Sequence, residues 1–422
     1  MFILDQPSSP PRPSSQVTIN SVVRDVRRLE LKPSPAEKLP FHILVAIFFA
    51  ARAGSQSFDF DQGGQVACWD SLGSTLPFSL VCRGWSDAAI FTLTRSIVIL
   101  GTEKARLFLR TIKDHPYRAN YVKSLVIGFK TRFPEEASTR DAYTESMLLV
   151  EVLEMCPMVT HLHVKPLHRN VRKRLLAAIK GKPSLAALVL LPRFDTPEAP
   201  LYEDFDLVPL MTKLDAFEVQ MLPGRFTPRP RAIEPFLTAV TLRELRILCL
   251  GGNALILPII AAAGPTLEVL DVYVEHLYEC PGPVVDALLK TTKTLRRLKY
   301  ITGPLDSIVG RTYDPTKLQV LDYVLPHFQQ LLILTASASE VSPNLFRIIP
   351  PCVRKIELYA LNRTPSFRYA GTMLDALADL TIDFKLEAMD VHGVGWARME
   401  EVIIGAALAS RGISFLTDNM TA

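Results

Sequence analysis

Leu295-Arg296-Arg297-Leu298-Lys299-Tyr300 is one copy of a six-residue unit, apolar-x-x-apolar-x-apolar, whose reading decides the fold. The copy before it is Leu267-Glu268-Val269-Leu270-Asp271-Val272. The alternation in the second half of the unit fits a strand with one buried face. Further copies start at Val122, Val159, Leu185, Leu214, Leu245, Phe328, Val353 and Leu377. The fourth-position anchors are therefore Leu125, Leu162, Leu188, Phe217, Leu248, Leu270, Leu298, Leu331, Ile356 and Leu380. Their spacing runs from 22 residues (Leu248 to Leu270) to 37 (Leu125 to Leu162).

Segments between the copies read as helices over 145–156, 171–179, 257–263 and 284–291. Residues 315–326 read as mainly helical although Leu318-Gln319-Val320-Leu321-Asp322-Tyr323 also fits the unit. Residues 397–410 read as a capping helix and 413–416 as a last strand. Pro or Gly stands before many units, as in Cys156-Pro157, Lys182-Pro183, Gly264-Pro265 and Pro350-Pro351, which suits helix ends and turns. A strand-plus-helix unit cannot bury its apolar face alone, whereas stacked units share one core. An ordinary α/β domain with buried parallel strands is the competing reading, but ten copies held in one phase exceed an ordinary sheet. The array resembles an irregular leucine-rich repeat.

In such a strand the anchor and the residue two later point inward, and the residues flanking the anchor point to the other, concave face. That places Ser124 and Val126, His161 and His163, Ala187 and Val189, and Ala216 and Glu218 on the concave face. It continues with Ile247 and Cys249, Val269 and Asp271, and Arg297 and Lys299. Gln330 and Leu332, Lys355 and Glu357, and Asp379 and Thr381 complete the series. The candidate substrate-binding residues are His161, His163, Glu218, Asp271, Arg297, Lys299, Lys355 and Glu357. A surface of alternating charge suits a protein or peptide ligand.

The chain has 422 residues, enough for more than one domain, with 48% hydrophobic and 21% charged residues. Lys plus Arg number 47 and Asp plus Glu 43, a net charge of +4, too small to imply nucleic acid or an anionic membrane. The six cysteines form no C-x-x-C pair, so neither zinc nor a disulfide framework is expected and a reducing compartment fits. The N-terminus lacks the basic and long apolar regions of a secretory signal. No apolar run approaches the ~20 residues of a membrane span. A soluble, intracellular protein of cytoplasm or nucleus is expected.

Catalytic signatures are absent: there is no G-x-x-x-x-G-K-[ST], G-x-G-x-x-G, G-x-S-x-G or H-E-x-x-H. His161, His163 and His168 have no cysteine or carboxylate at ligand spacing and read as surface histidines. Asp59-Phe60-Asp61-Gln62-Gly63-Gly64 lacks the terminal glutamate of a calcium loop and reads as part of a polar insertion. No enzyme activity, cofactor or metal is expected.

The N-terminal part differs. Residues 1–18 are Pro/Ser-rich and read as a disordered tail, 22–31 as a short helix and 32–35 as a linker. Then comes Leu39-Pro40-Phe41-His42-Ile43-Leu44-Val45-Ala46-Ile47-Phe48, with Pro40 in the first turn of a helix that is apolar nearly all round. Such a helix needs a second burial surface. After the insertion at 52–75, helices are expected over 76–81 and 85–93. The run Leu-Pro-x-x-Ile-Leu-x-x-Ile-Phe with the later Leu80-Val81-Cys82-Arg83-Gly84-Trp85 resembles an F-box, the helical segment that docks substrate receptors onto the Skp-type adaptor of cullin ubiquitin ligases. His42 stands where that family commonly has an acidic residue, and the insertion is longer than usual, as in large fungal F-box families.

The resemblance implies an α/β chain with three parts: a tail and linker over 1–33, a three-helix F-box-like domain over 34–100, and a leucine-rich-repeat-like solenoid with a parallel concave sheet over 101–422. It implies a substrate-recognition subunit that binds the adaptor, and through it cullin, and presents an unknown protein target. The adaptor-binding residues would be Leu39, Pro40, Ile43, Leu44, Ile47, Phe48, Val81, Cys82 and Trp85. A repeat scaffold working outside any ligase is the alternative.

Overall fold

The computed structural model describes residues 39–53, 83–129, 139–165, 167–190, 212–221, 240–249, 256–274, 281–302, 319–342, 344–359, 370–379, 385–392 and 398–417. The tail, the helices expected over 22–31 and 76–81, Val81, Cys82 and the insertion beyond residue 53 lie outside them. The chain forms two compact units, Met1–Leu93 and Thr94–Ala422.

In the first unit α1 spans Phe41–Ala53 and most of α2, Arg83–Arg95, follows. The Pro40 carbonyl accepts the first bonds of α1, from the Ile43 and Leu44 N–H groups at 2.9 and 3.1 Å. Leu44 and Phe48 of α1 pack with Ala88 and Ala89 of α2 in a small core, against which Leu39, Val45 and Trp85 lean. Phe48 meets Trp85 edge-on with ring centroids 5.6 Å apart, and Phe41 meets Phe91 at 5.7 Å.

Among the described residues the second unit is one 12-stranded, all-parallel sheet whose strand order is the sequence order. Its strands are β1 Ser96–Leu100, β2 Ser124–Gly128, β3 His161–Val164, β4 Ala187–Leu190, β5 Ala216–Met221, β6 Glu244–Cys249, β7 Val269–Val274, β8 Arg297–Thr302, β9 Ile333–Ser337, β10 Lys355–Tyr359, β11 Ala388–His392 and β12 Ser414–Thr417. Between them run α3 Thr102–Asp114, α4 Thr139–Met155, α5 Arg172–Lys180, α6 Ile256–Ala263, α7 Pro281–Leu289, α8 Val320–Val324, α9 Leu345–Ile348, α10 Ala370–Ala378 and α11 Arg398–Ser410. Helices expected over 145–156, 171–179, 257–263, 284–291 and 397–410 are α4, α5, α6, α7 and α11. The strand expected over 413–416 is β12. The helical part of 315–326 is α8 and the 3₁₀ turn Leu325–His327 that follows it.

The six-residue unit explains this solenoid-like stack. Leu267, Leu270 and Val272 are all buried, as are Leu295, Leu298 and Tyr300. The anchors lie side by side in register from Leu125 through Leu162, Leu188, Phe217, Leu245, Leu270, Leu298, Leu334 and Ile356 to Met389. They join the inner faces of the helices in one continuous apolar core. Backbone bonds repeat the register ahead of each strand. The Glu268 carbonyl accepts from the Arg296 and Arg297 N–H groups at 2.8 and 3.1 Å, and the Arg296 carbonyl from Leu332 and Ile333 at 2.7 and 3.1 Å. These bonds satisfy the donors at which β8 and β9 begin.

Four sequence readings are corrected. The sequence groups Ile97 to Ile99 with the N-terminal helices, but they pair with β2 as the first strand of the sheet. In β6 the anchor is Leu245, not Leu248, because Leu242-Arg243-Glu244-Leu245-Arg246-Ile247 also fits the unit and its register matches Phe217 and Leu270. Ile247 is consequently buried, and Glu244 and Arg246 occupy the opposite face in place of Ile247 and Cys249. In β9 the anchor is Leu334, which replaces Gln330 and Leu332 by Ile333 and Thr335. In β11 it is Met389, which replaces Asp379 and Thr381 by Ala388 and Asp390; Leu377 belongs to α10.

α11 ends in a Schellman turn: the Ile413 N–H donates to the Leu408 carbonyl at 3.0 Å and the Gly412 N–H to Ala409 at 2.9 Å. Gly412 has φ +74° there, and Leu408 and Ile413 are both buried beneath the turn. Gly412→Ala is expected to cost about 1 kcal/mol, since a Cβ is strained at positive φ. Urea denaturation of the full chain checks this.

Candidate functional site

Two surfaces carry the candidate residues. On α1, Ile43, Ala46, Ile47 and Ala50 are exposed and fall at i, i+3, i+4 and i+7, one face of the helix. Ile43 is 39% exposed, Ile47 44% and Phe41 50%. Pro40 is exposed beside them, and Leu39 and Trp85 are half-buried. Leu44 and Phe48, which the sequence placed in the same docking set, are 2% and 0% exposed because they fill the core against α2. The helix thus splits its apolar surface between a filled inner face and a bare outer one.

On the sheet, all eight candidate substrate-binding residues share the face turned from the helices. His161, Arg297 and Lys355 lie in one register row; His163, Glu218, Asp271, Lys299 and Glu357 lie in the row two residues on. Sequence reading missed Glu244, Arg246, Thr335 and Asp390, which fall in the same two rows. Overlapping matches to the repeat unit hid the first three, and Asp390 lies in a separate copy that starts nine residues after Leu377. The signal that finds them is the nearer copy of the unit, such as Leu331-Leu332-Ile333-Leu334-Thr335-Ala336 or Leu386-Glu387-Ala388-Met389-Asp390-Val391.

This face changes character along the sheet. From β1 to β4 its rows hold Ser96, Val98, Ser124, Val126, the two histidines, Ala187 and Val189. Burial lowers the pKa of His161, and burial with the charge of Lys165 lowers that of His163 to about 4, so both are neutral at pH 7. His168 does not join them: it is buried in the turn after β3, its N–H bonded to Ser146 Oγ at 2.9 Å. Among the described residues no cluster of His, Cys, Asp and Glu could hold a metal ion.

From β5 to β11 the rows are charged. Asp271 sits between two arginines from the adjacent strands, with Arg246 Nε at 3.6 Å and Arg297 Nε at 3.7 Å. Glu218 lies one strand beyond Arg246; burial pushes its carboxyl above the usual range, Arg246 opposing and Asp271 adding to the rise. Lys355 Nζ bridges Glu357 at 2.6 Å and Asp390 at 2.8 Å. The Thr335 hydroxyl donates to Glu357 Oε2 at 3.0 Å. Burial would raise Glu357, but the bonds from Lys355 and Thr335 outweigh it and hold the carboxyl below its ordinary value.

Of the six cysteines, Cys156 is wholly buried and its thiol is pushed up to about 12 by burial, with Lys182 pulling the other way; it is an inert core residue. Among the described residues no helix is long and apolar enough to cross a membrane. No protein-family model matches the chain, and comparison with curated proteins finds no match.

Proposed function

We propose that this chain is the substrate-recognition subunit of an SCF-type cullin ubiquitin ligase. The outer face of α1 docks a Skp-type adaptor, and through it cullin, while the charged sheet face holds a protein target. The observation that carries this reading is the bare stripe of Ile43, Ala46, Ile47 and Ala50 on a helix whose Leu44 and Phe48 are already committed to its own core. An apolar helix face of that kind suits helix-in-groove recognition by a partner. In this role the chain acts by proximity, raising the effective concentration of the target near the ligase. Purification of the tagged full chain from cells, followed by mass spectrometry, is expected to recover a Skp-type adaptor together with cullin. Recovery of stable partners without either would leave a repeat scaffold working outside a ligase.

A further inference from the structure

We propose that the sheet face from β8 to β11 binds an extended protein segment carrying a carboxylate three or four residues from an arginine or lysine. This deepens the reading of that face as the target-recognition surface and rests on it, but it does not depend on adaptor docking.

The charges on this part of the face are unevenly paired. Arg297 and Lys299 are successive outward residues of β8. Arg297 is engaged by Asp271 at 3.7 Å, whereas Lys299, half-exposed, makes no ion pair among the described residues. Two strands away, Glu357 and Asp390 share the ammonium of Lys355, and Arg297 also acts on Glu357 from across β9, so Asp390 is the less compensated of the two carboxylates. The side chains of Glu357 and Asp390 are only 23% and 13% exposed, and in such partly buried surroundings an uncompensated charge acts more strongly than in water.

Between the two poles runs β9, whose outward residues are Ile333, Thr335 and Ser337, the last two small and 1% and 2% exposed. Their neighbours cover them, so a ligand on this part of the face rests on the longer side chains of β8, β10 and β11. Tyr359 and His392, two residues on from Glu357 and Asp390, stack with centroids 4.6 Å apart and planes at 20°. An aromatic wall beside carboxylates suits a guanidinium or ammonium group.

Strands stand ~4.8 Å apart, so the positive pole on β8 and the negative pole on β10 and β11 are separated by roughly 10–14 Å. An extended chain covers about 3.3 Å per residue, which sets the spacing at three to four residues. The carboxylates of Glu357 and Asp390, with Asp271 beside β8, oppose a polyanion lying across these strands and favour a protein segment over nucleic acid.

The test is selection of random twelve-residue peptides displayed on phage, using the full chain without any adaptor. Selected peptides are expected to carry Asp or Glu three or four residues from Arg or Lys. Lys299→Glu is expected to bind such a peptide about tenfold more weakly and to select peptides that have lost the acidic residue but kept the basic one. Glu357→Gln is expected to relax the basic position instead. If Lys299→Glu fails to fold by circular dichroism, Lys299→Gln takes its place. Wild-type selections without this charge pair, or a pair preference that both variants leave unchanged, would overturn the proposal. Loss of adaptor co-purification has no bearing on these outcomes, so the two proposals fail separately.

Discussion

Replacing Ile43 and Ile47 together by aspartate is expected to abolish co-purification of the adaptor while leaving the fold intact. The two side chains are 39% and 44% exposed, so covering them contributes about 1–3 kcal/mol in total. Aspartates in their place would bring two carboxylates against an apolar partner, which costs several kcal/mol more. Since each 1.4 kcal/mol is a factor of ten, the loss exceeds about a hundredfold. The effect on folding is small by comparison, because exposed helical positions pay only the propensity difference, about 0.5 kcal/mol each. Phe48→Ala is the opposite case: it empties the core against Ala88, Ala89 and Trp85 and should unfold the helical pair. Immunoprecipitation read beside thermal denaturation separates the two. Adaptor binding at wild-type strength by the double aspartate variant would refute the docking surface.

The second large effect is expected at Leu298. It is 0% exposed in β8, flanked in register by Leu270 and Leu334, which are also 0% exposed. Leu298→Ala leaves a cavity at the centre of the continuous core and is expected to cost about 2–5 kcal/mol. Lys299, the next residue, faces the other way, and Lys299→Ala should change stability by no more than about 0.5 kcal/mol. Urea denaturation of both variants measures the contrast. Equal effects would mean that the strand phase, and with it the assignment of the ligand face, is wrong. Because each unit contacts mainly its neighbours, the Leu298 variant is also expected to broaden the transition as the stack loses cooperativity.

The pairing of neighbouring residues with opposite fates explains which parts of the structure could be read in advance. Seven of the ten anchors taken from the sequence, among them Leu125, Leu270, Leu298 and Ile356, are anchors in the sheet. There the unit has one match, and alternation fixes the face. Around β6 the leucines at 242, 245, 248 and 250 allow two matches three residues apart. An odd shift turns every side chain to the opposite face. That single ambiguity hid Arg246, which holds Asp271, and Glu244 beside it. In β9 the same shift hid Thr335.

Periodicity alone therefore determined that apolar strands repeat, that helices separate most of them, and that an unusually apolar helix stands near the start. Those are properties of local pattern, because burial of one face is written at a period of two in strands and near 3.6 in helices. Only the tertiary structure decided the register of β6, β9 and β11, the place of Ser96–Leu100 as the first strand, and the division of α1 into an inner and an outer face. Each of these depends on what lies alongside: a neighbouring strand that supplies carbonyls at one phase, or a second helix that covers Leu44 and Phe48 and leaves Ile43 and Ile47 bare.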